Sequence, residues 1–450
     1  MLRAYHQINP GRLLIISYLS VILVGSLLLM LPISSKNISP IDALYTATSA
    51  VCVTGLIVKN TAFDFTLFGK LVILLLIQIG GIGYMTLSTA IFFFIGKKPN
   101  LQERLTIKES FCVLNYSNLT KFALDVIKVT LIVEGIGMVL LFIYFRLSHM
   151  QFSEALFHAL FHAVSAFCNA GFSSFPENLA RFSHVPYVQL VTSALIISGG
   201  IGFVVISDLY NRYIKRISKH LSLHSKTVLS TTLILILSGT VVISLLEWGN
   251  ALKIFPWPLK ILNAYFTAVT PRTAGFNTID FSSLSYPTCL IIIFLMFIGA
   301  SPGGTGGGIK TTTLSVIIAQ FNALLSGRSD VFLFRRRVPQ DQIFKAFLIV
   351  GFALSWLLTG LVFLYILNKS KLDMLTAVFE LFSAFGTVGL SLGSKLAANL
   401  SASYDFSSLG KVIIVITMFL GRVGILTVIT SLIKKRYVNY THPEGVILVG

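Results

Sequence analysis

Long apolar stretches alternate with short polar connections along most of the chain. A helix needs about 20 apolar residues to cross the hydrocarbon core of a bilayer. The stretches that meet this length are 13–33, 71–95, 125–146, 187–210, 227–247, 287–321, 343–367 and 410–433. The pattern therefore predicts eight membrane-spanning helices. The first is expected to be retained rather than cleaved as a signal peptide, because it is long and lacks a small-residue cleavage site.

Four shorter apolar segments lie between these predicted spans and align with one another without gaps. Each begins with an aromatic residue and ends ten residues later with a glycine that Leu or Phe follows. The segments are Tyr45–Gly55, Phe161–Gly171, Tyr265–Gly275 and Phe379–Gly389. The glycines lie 116, 104 and 114 residues apart. Self-similarity at a near-constant period indicates an internal fourfold repeat.

Each segment is too short to cross a membrane, since twelve helical residues reach only about 18 Å. N-caps or polar helix starts are predicted before three of them, namely Ser39 or Asp42, Ser153, and Asp373. The predicted unit is a span, a re-entrant half-helix, an extended loop and a second span. The units are 1–100 with its pore loop at 41–58, 120–215 with 153–174, 223–325 with 262–278, and 340–436 with 373–392. The predicted fold is an all-α integral membrane protein with one pseudo-fourfold pore.

Composition and charge agree with a membrane protein and set its orientation. Of 450 residues, 55% are hydrophobic and only 12% charged, against about 25% in soluble domains. The net charge of +18 could suggest a nucleic-acid partner, but the basic residues are spread over short loops between the units, so none is expected. The positive-inside rule predicts that both termini are cytoplasmic, that the half-helices lie on the outer side, and that the units are parallel.

The four glycines suggest ion chemistry. A cation in a membrane needs replacements for its hydration shell, and extended backbone can supply carbonyl oxygens. Glycine permits the dihedrals and the close chain approach that such a ring requires. The alternative is that the glycines only end or pack helices, which leaves the fourfold spacing unexplained. The predicted selectivity filter comprises Val53, Thr54, Gly55, Asn169, Ala170, Gly171, Thr273, Ala274, Gly275, Thr387, Val388 and Gly389. Arg272 could also shape the local field or structure.

The second span of the third unit contains a glycine-rich interruption, GASPGGTGGGIKTTT, at 299–313. Such a segment cannot form a stable continuous helix and is expected to cross the pore below the filter. A phosphate-binding loop is disfavoured, because Ile309 stands where that motif requires lysine. Arg422, midway along the last span, is costly in a membrane and is predicted to hold this loop closed. Lys310 either assists it or extends to the cytoplasm. The predicted gate residues are Gly303, Gly304, Thr305, Gly306, Gly307, Gly308, Lys310 and Arg422.

Other polar residues within the apolar stretches have no assigned role. Glu134 lies mid-span and needs an interior basic residue or water. His158 and His162 are four residues apart and could share a metal, although packing and hydrogen bonding are favoured. Gly80–Gly83 and Gly199–Gly202 are expected to be close packing points or bends. Four cysteines without CxxC spacing are interpreted as packing residues.

The motifs VCVTGL, FCNAGF, PRTAGFNT, FGTVGLS, GASPGGTGGGIKTTT and FLGRVG resemble the Trk/Ktr/HKT superfamily of potassium transporters over nearly the whole chain. The start directly at the first unit is typical of the Ktr branch. The resemblance implies a preference for potassium, since Gly55 is present, and an intramembrane loop that acts as a gate. It also implies a homodimer, contacts through the tail at 437–450, and a cytoplasmic KtrA-type nucleotide-binding ring. No cofactor is expected on this chain beyond permeating K⁺ or Na⁺, and nucleotide is expected only on the partner.

Potassium uptake across the cell membrane is therefore the leading hypothesis, with sodium coupling left open. A sodium or poorly selective monovalent-cation pathway is the alternative. An intramembrane enzyme is disfavoured, because no HExxH motif occurs. A membrane scaffold without transport leaves the four glycine segments without a purpose.

Overall fold

The structure is a computed structural model that describes residues 10–83, 119–217, 220–368 and 373–432. The described residues are mostly helical. The α-helices are α1 (Pro10–Met30), α2 (Pro40–Val51), α3 (Leu67–Ile82), α4 (Leu119–Leu147), α5 (Phe152–Phe167), α6 (Pro186–Gly200), α7 (Phe203–Leu209), α8 (Leu223–Glu247), α9 (Trp257–Val269), α10 (Tyr286–Phe297), α11 (Thr311–Leu325), α12 (Gln340–Leu367), α13 (Met374–Gly386), α14 (Ser408–Val423) and α15 (Ile425–Leu432). The predicted tail at 437–450 and part of the predicted span 71–95 lie outside these residues.

The long helices are apolar on faces that no other described element covers. Leu27 on α1 and Leu245 on α8 are 66% and 76% exposed. In water such faces would be unfavourable, whereas lipid chains solvate them. Within the described residues, four helices are long and apolar enough to cross a membrane, or six segments if each bent helix pair counts as one. The chain is therefore a multi-pass membrane protein.

Three of the predicted spans are not continuous helices. The pairs α6–α7 and α14–α15 bend by 99° and 94°, at Gly202 and Gly424. The predicted spans 187–210 and 410–433 are thus each a helix followed by a sharp turn, because these glycines adopt left-handed φ values of 94° and 92°. The span 287–321 is interrupted between Phe297 and Thr311. The last three residues of the predicted gate segment 299–313 are helical.

The short helices α2, α5, α9 and α13 occupy the protein interior. Two have the predicted caps: Ser39 Oγ accepts a hydrogen bond from Asp42 N at 3.1 Å, and Asp373 Oδ2 accepts one from Thr376 N at 3.1 Å. The prediction for Ser153 is wrong. Helix α5 begins at Phe152, and Gln151 precedes it without a side-chain cap, so Ser153 lies inside the first turn.

A two-stranded antiparallel hairpin departs from the all-α prediction. Strands β1 (Phe332–Leu333) and β2 (Arg336–Arg337) pair between α11 and α12, with Phe332 opposite Arg337. Phe334 and Arg335 at the turn have positive φ values, which a tight hairpin turn requires. The hairpin packs on α11 and lies away from the four glycine segments.

Candidate functional site

The four repeat glycines lie against one another in chain order and close a ring. A Cβ atom added to Gly55 would lie 2.9 Å from Gly171 Cα, and one added to Gly171 would lie 3.0 Å from Gly275 Cα. A Cβ on Gly275 would be 3.2 Å from Gly389 Cα, and one on Gly389 would be 2.9 Å from Gly55 Cα. Any side chain would therefore strike the neighbouring segment. Only glycine allows four backbones to approach this closely.

The four segments also share one backbone conformation. The glycines have left-handed φ values of 92°, 70°, 71° and 89°. The residues two positions earlier are left-handed as well, although none is glycine. These are Val53, Asn169, Thr273 and Thr387, with φ of 57°, 59°, 70° and 50°. A non-glycine residue in this region costs about 1–3 kcal/mol and persists only where its surroundings hold it there. The same strained path four times over indicates a function rather than a chance of packing.

The predicted filter residues all belong to this buried ring. The carbonyl oxygen of the residue before each glycine lies close to the glycine of the preceding segment in the ring, so that a Cβ on Gly171 would meet Ala274 O at 2.9 Å. The side chains beside the glycines have no exposed surface. These are Val53, Thr54, Asn169, Ala170, Thr273, Ala274, Thr387 and Val388. The ring thus brings together main-chain oxygens of four segments among buried side chains.

A hydroxyl at the end of each short helix braces the extended segment. Ser49 Oγ accepts from Gly55 N at 3.0 Å, and Ser383 Oγ accepts from Gly389 N at 3.1 Å. Ser165 Oγ donates to Phe172 O at 2.7 Å, and Thr270 Oγ1 donates to Phe276 O at 2.6 Å. Sequence reasoning missed these residues. Three of them stand six positions before the repeat glycine, and that spacing could have identified them.

A cavity of about 500 Å³ adjoins the ring. The residues that follow each glycine line it, and the four glycines form part of its wall. Four asparagines, one after each glycine, contribute polar lining; they are Asn60, Asn178, Asn277 and Asn399. Glu177 and Asp280 add carboxyl groups. A polar cavity with acidic residues attracts cations.

The interrupted span of the third unit lies directly against the other end of the ring. Gly307 N donates to Thr387 Oγ1 at 2.8 Å, so the loop is bonded to one of the predicted filter residues. Thr305 Oγ1 donates to Phe167 O at 3.1 Å, and Thr305 N donates to Gly199 O at 3.2 Å. The predicted gate residues Gly303–Gly308 thus lie beneath the ring and are packed against other segments of the protein, a setting in which irregular backbone is tolerated at membrane depth.

Two cationic side chains donate hydrogen bonds to carbonyl oxygens of this loop. Arg422 donates from Nη1 to Thr305 O and from Nη2 to Gly80 O, with a weaker contact to Gly81 O at 3.4 Å. It therefore ties the loop of the third unit to the second span of the first. Lys310 Nζ donates to Gly306 O at 2.7 Å. The structure thus places Lys310 on the loop itself, which favours the first of its two predicted roles.

Glycines in the second spans allow these helices to approach the ends of the short helices. A Cβ at Gly80, Gly199 or Gly421 would overlap the carbonyl oxygen of Val51, Phe167 or Phe385, respectively. Three residues later, Gly83, Gly202 and Gly424 each adopt a left-handed φ where the helix ends. Both expected properties of these glycines, close packing and bending, are thus present. Gly421 and Gly424 have the same spacing as the first and last glycines of the other two motifs, although they were not predicted to correspond to them.

The remaining polar residues form local hydrogen bonds. Glu134 accepts from Gln78 Nε2 at 3.0 Å and lies 3.6 Å from the Cys168 thiol, so its partners are an amide and a thiol rather than a basic residue. His158 bonds to Ser174 and His162 to Ser173, at 2.7 and 3.0 Å between ring nitrogen and hydroxyl. Within the described ranges no group of three His, Cys, Asp or Glu side chains could hold a metal ion.

Arg272 is 6% exposed, and its Nε and Nη1 have no hydrogen-bond partner among the described residues. It lies three residues before Gly275, at the end of α9. Cys52, Cys168 and Gly386 occupy the matching positions of the other segments. The third segment therefore carries a buried charge where the others carry small groups.

Comparison with known proteins decides the family. The model of the cation transport protein family TrkH matches residues 10–439. The chain belongs to this family. It is 39% identical to the Ktr system potassium uptake protein B of Bacillus subtilis over 99% of this chain and 97% of that protein. It is 35% identical to the potassium/sodium uptake protein NtpJ of Enterococcus hirae, over 100% and 99% of the two chains.

A solved structure agrees on the fold. The TrkH potassium transporter of Vibrio parahaemolyticus superposes with a TM-score of 0.75 at 19% identity, covering 96% of this chain and 86% of that one. At this identity the match concerns the fold alone. Since the TrkH family and the matched relatives are ion transporters, the prediction that the chain is not an enzyme is confirmed.

Proposed function

We propose that this TrkH-family chain takes up potassium across the cell membrane through a pore at the centre of the glycine ring. The observation that carries the proposal is the closed contact of Gly55, Gly171, Gly275 and Gly389, each on the same left-handed path. The relatives from Bacillus subtilis and Vibrio alginolyticus, at 39% and 36% identity, are both named potassium uptake proteins.

Two physical terms favour a cation in the ring. Carbonyl oxygens of four segments replace the water that a bare ion loses. The short helices α2, α5, α9 and α13 end immediately before the extended segments, and a helix C-terminus carries about half a negative charge. A membrane potential of 100 mV, negative inside, then contributes about 2.3 kcal/mol per charge to uptake.

The finer architecture is part of the proposal. Four parallel units, each a span, a re-entrant helix, a filter strand and a second span, would give eight spans around one pore. The short helices and the bent or interrupted second spans fit this arrangement. Basic residues concentrate between the units, which favours cytoplasmic termini and an outward-facing filter.

The interrupted span is proposed to be the gate. Its loop lies below the filter and is bonded to Thr387 and Arg422. The guanidinium charge also opposes a cation in the passage. Opening would require that the loop exchange the hydrogen bonds of Arg422 and Lys310 for water.

Regulation is proposed to come from another chain. The names of two matched relatives refer to a Ktr system, which implies further components. A homodimer of this chain on a cytoplasmic KtrA-type nucleotide-binding ring would couple a soluble signal to the gate. Nucleotide would then bind the ring and not the membrane subunit.

A sodium-permeable pathway is the second candidate, favoured by the name of the Enterococcus hirae relative. Uptake assays in cells that lack their own potassium uptake separate the two candidates. The chain is expressed with and without a ring partner, and initial rates for potassium and sodium are measured while external sodium is varied. Restored growth at low potassium with little sodium entry is expected. Equal entry of both ions would overturn the potassium assignment.

A further inference from the structure

Among the side chains around the ring, Asn178 makes an unusual contact. Its Nδ2 donates to Gly275 O at 3.3 Å and to Gly171 O at 3.5 Å. One amide group therefore bridges the glycine carbonyls of two neighbouring segments. Its Oδ1 is buried and has no hydrogen-bond partner among the described residues. The residue also lines the 500 Å³ cavity that adjoins the ring.

The backbone around Asn178 is fixed from the second short helix. Asn178 has a left-handed φ of 56°, and its carbonyl oxygen accepts from Ser173 Oγ at 3.4 Å. That hydroxyl is also 3.0 Å from His162 Nε2. The ring of Phe175 stacks on His158 and His162, with centroids 4.4 and 4.8 Å apart. The two histidines thereby anchor the turn that positions the amide.

Two other asparagines of the cavity have different partners. Asn60 Nδ2 donates to Pro176 O at 3.3 Å, and Asn277 Nδ2 donates to Ile279 O at 3.2 Å. Both amides stabilise loops away from the glycine carbonyls. The bridge by Asn178 thus distinguishes the carbonyl oxygens of Gly171 and Gly275, in the second and third segments, from those of Gly55 and Gly389, in the first and fourth.

We infer that Asn178 is a specificity-determining residue, because its amide holds the carbonyl oxygens of Gly171 and Gly275 apart and prevents them from closing around a small cation. The inference rests on the proposed function of the ring as a filter. The two N–H bonds of one planar amide diverge, so oxygens that accept from both cannot converge without losing one bond. Potassium needs a wider cage than sodium. Loss of the bridge would therefore improve coordination of sodium more than that of potassium.

The test compares Asn178→Ala and Asn178→Asp with Asn277→Asp in the full-length chain with its ring partner. Asn178→Asp keeps the shape of the side chain but removes both N–H donors. Asn277→Asp introduces the same charge into the same cavity without touching a glycine carbonyl. Initial rates of potassium and sodium uptake are measured over a range of concentrations.

Both Asn178 variants are expected to lower the potassium-to-sodium rate ratio by about tenfold, the size of one buried hydrogen bond. Asn178→Asp should also lower the apparent KM for both ions, because it adds a negative charge. Asn277→Asp should lower the apparent KM for both ions and leave the ratio unchanged. If Asn178→Ala does not reach the membrane, Asn178→Asp decides by the same criterion.

Two results would overturn the inference: a wild-type ratio in the Asn178 variants, or an equal change of ratio in Asn277→Asp. Thermal unfolding of the purified protein in potassium or in sodium gives a second readout without flux. The extra stabilisation by potassium should shrink in Asn178→Asp and persist in Asn277→Asp.

Gly275→Ser separates this inference from the proposed function. If Gly275→Ser changes selectivity and the Asn178 variants do not, only the role of Asn178 fails; if neither does, the filter assignment fails as well.

Discussion

The glycine ring is nearly symmetric, whereas the helix ends and the loop beneath it are not. In the ring the four segments are nearly equivalent, with the same left-handed positions and the same close contacts. Beneath it the helices that follow the segments diverge. Helices α6 and α14 lead into bends at Gly202 and Gly424, α3 ends where Gly83 has a left-handed φ, and α10 is separated from α11 by the loop between Phe297 and Thr311.

This difference between the ring and the loop indicates which part of the molecule needs fourfold symmetry. A central ion is surrounded on all sides, so equivalent segments coordinate it best. A barrier needs only one obstruction and one group to hold it, and the loop with Arg422 fits that requirement. Substitutions in the ring should therefore affect ion discrimination, whereas substitutions below it should affect the open fraction.

The largest effect is expected for Gly275→Ser. An added Cβ would lie 3.1 Å from Gly171 Cα and 3.2 Å from Gly389 Cα, on backbone with φ of 71°. A left-handed non-glycine residue costs about 1–3 kcal/mol, so potassium uptake should fall at least about tenfold. Rates of potassium uptake at equal membrane expression measure this loss.

Gly135→Ala is the matched control, because an added Cβ meets no atom within 4 Å there. It should retain wild-type uptake. Equal rates in Gly275→Ser and Gly135→Ala would argue against the ring as the ion path.

A smaller and opposite effect is expected for Arg422→Ala. The variant removes the donors to Thr305 O and Gly80 O, and hydrogen bonds of a charged group contribute about 1.5–3 kcal/mol. The closed loop should lose stability, so uptake without the ring partner should rise about tenfold. Arg422→Lys keeps the charge but lacks the planar guanidinium group. Its uptake without the ring partner should therefore lie between that of the wild type and that of Arg422→Ala. Unchanged basal uptake in Arg422→Ala would remove the proposed role.

Gly202→Ala tests whether a bend is required beside the interrupted span. The residue has φ of 94°, and an added Cβ would lie 2.6 Å from Pro302 O. A cost of about 2 kcal/mol is expected, with a lower Tm for the purified protein. Gly249→Ala, where nothing lies within 4 Å of an added Cβ, should keep the wild-type Tm. The same Tm in both variants would show that the bend tolerates ordinary residues.

The smallest effects are expected for the hydroxyl braces. Ser49→Ala and Ser383→Ala each remove the acceptor of a repeat-glycine N–H, which costs about 1 kcal/mol. The potassium-to-sodium ratio should fall a few-fold in each. Ser238→Ala removes a hydroxyl bonded only within its own helix, to Leu235 O, and should leave the ratio intact. If the potassium-to-sodium ratio is similar in all three variants, the hydroxyls of Ser49 and Ser383 do not stabilise the repeat segments.

The sequence predicted the ring better than its surroundings. Four glycines at near-even spacing leave a pattern that needs no tertiary information, and Ser39 and Asp373 cap helices through neighbours three residues away. The division into units and the role of the filter residues stay predictions. The cap at Ser153 failed because α5 starts at Phe152, two residues before the start that such a cap implies, and Phe152 packs edge-on against Phe142 with ring centroids 5.4 Å apart.

Contacts distant in sequence could not be predicted in detail. Arg422 was predicted to hold the loop, but its partners Thr305 and Gly80 lie 117 and 342 residues away. A bend at Gly199–Gly202 was one of two expected properties of that motif, whereas the bend at Gly424 was missed, because hydropathy averages over a window and does not register a single left-handed glycine. The bridge from Asn178 to Gly275 depends on how two separate units meet.

All four sides of the ring belong to a single polypeptide. In an assembly of four identical subunits, a gene change would alter every quadrant at once, and a bulky loop or an arginine would be copied four times. Here one codon alters one quadrant. Evolution could therefore add a loop to the third quadrant and an arginine to the fourth while it left the main-chain oxygens of all four in place.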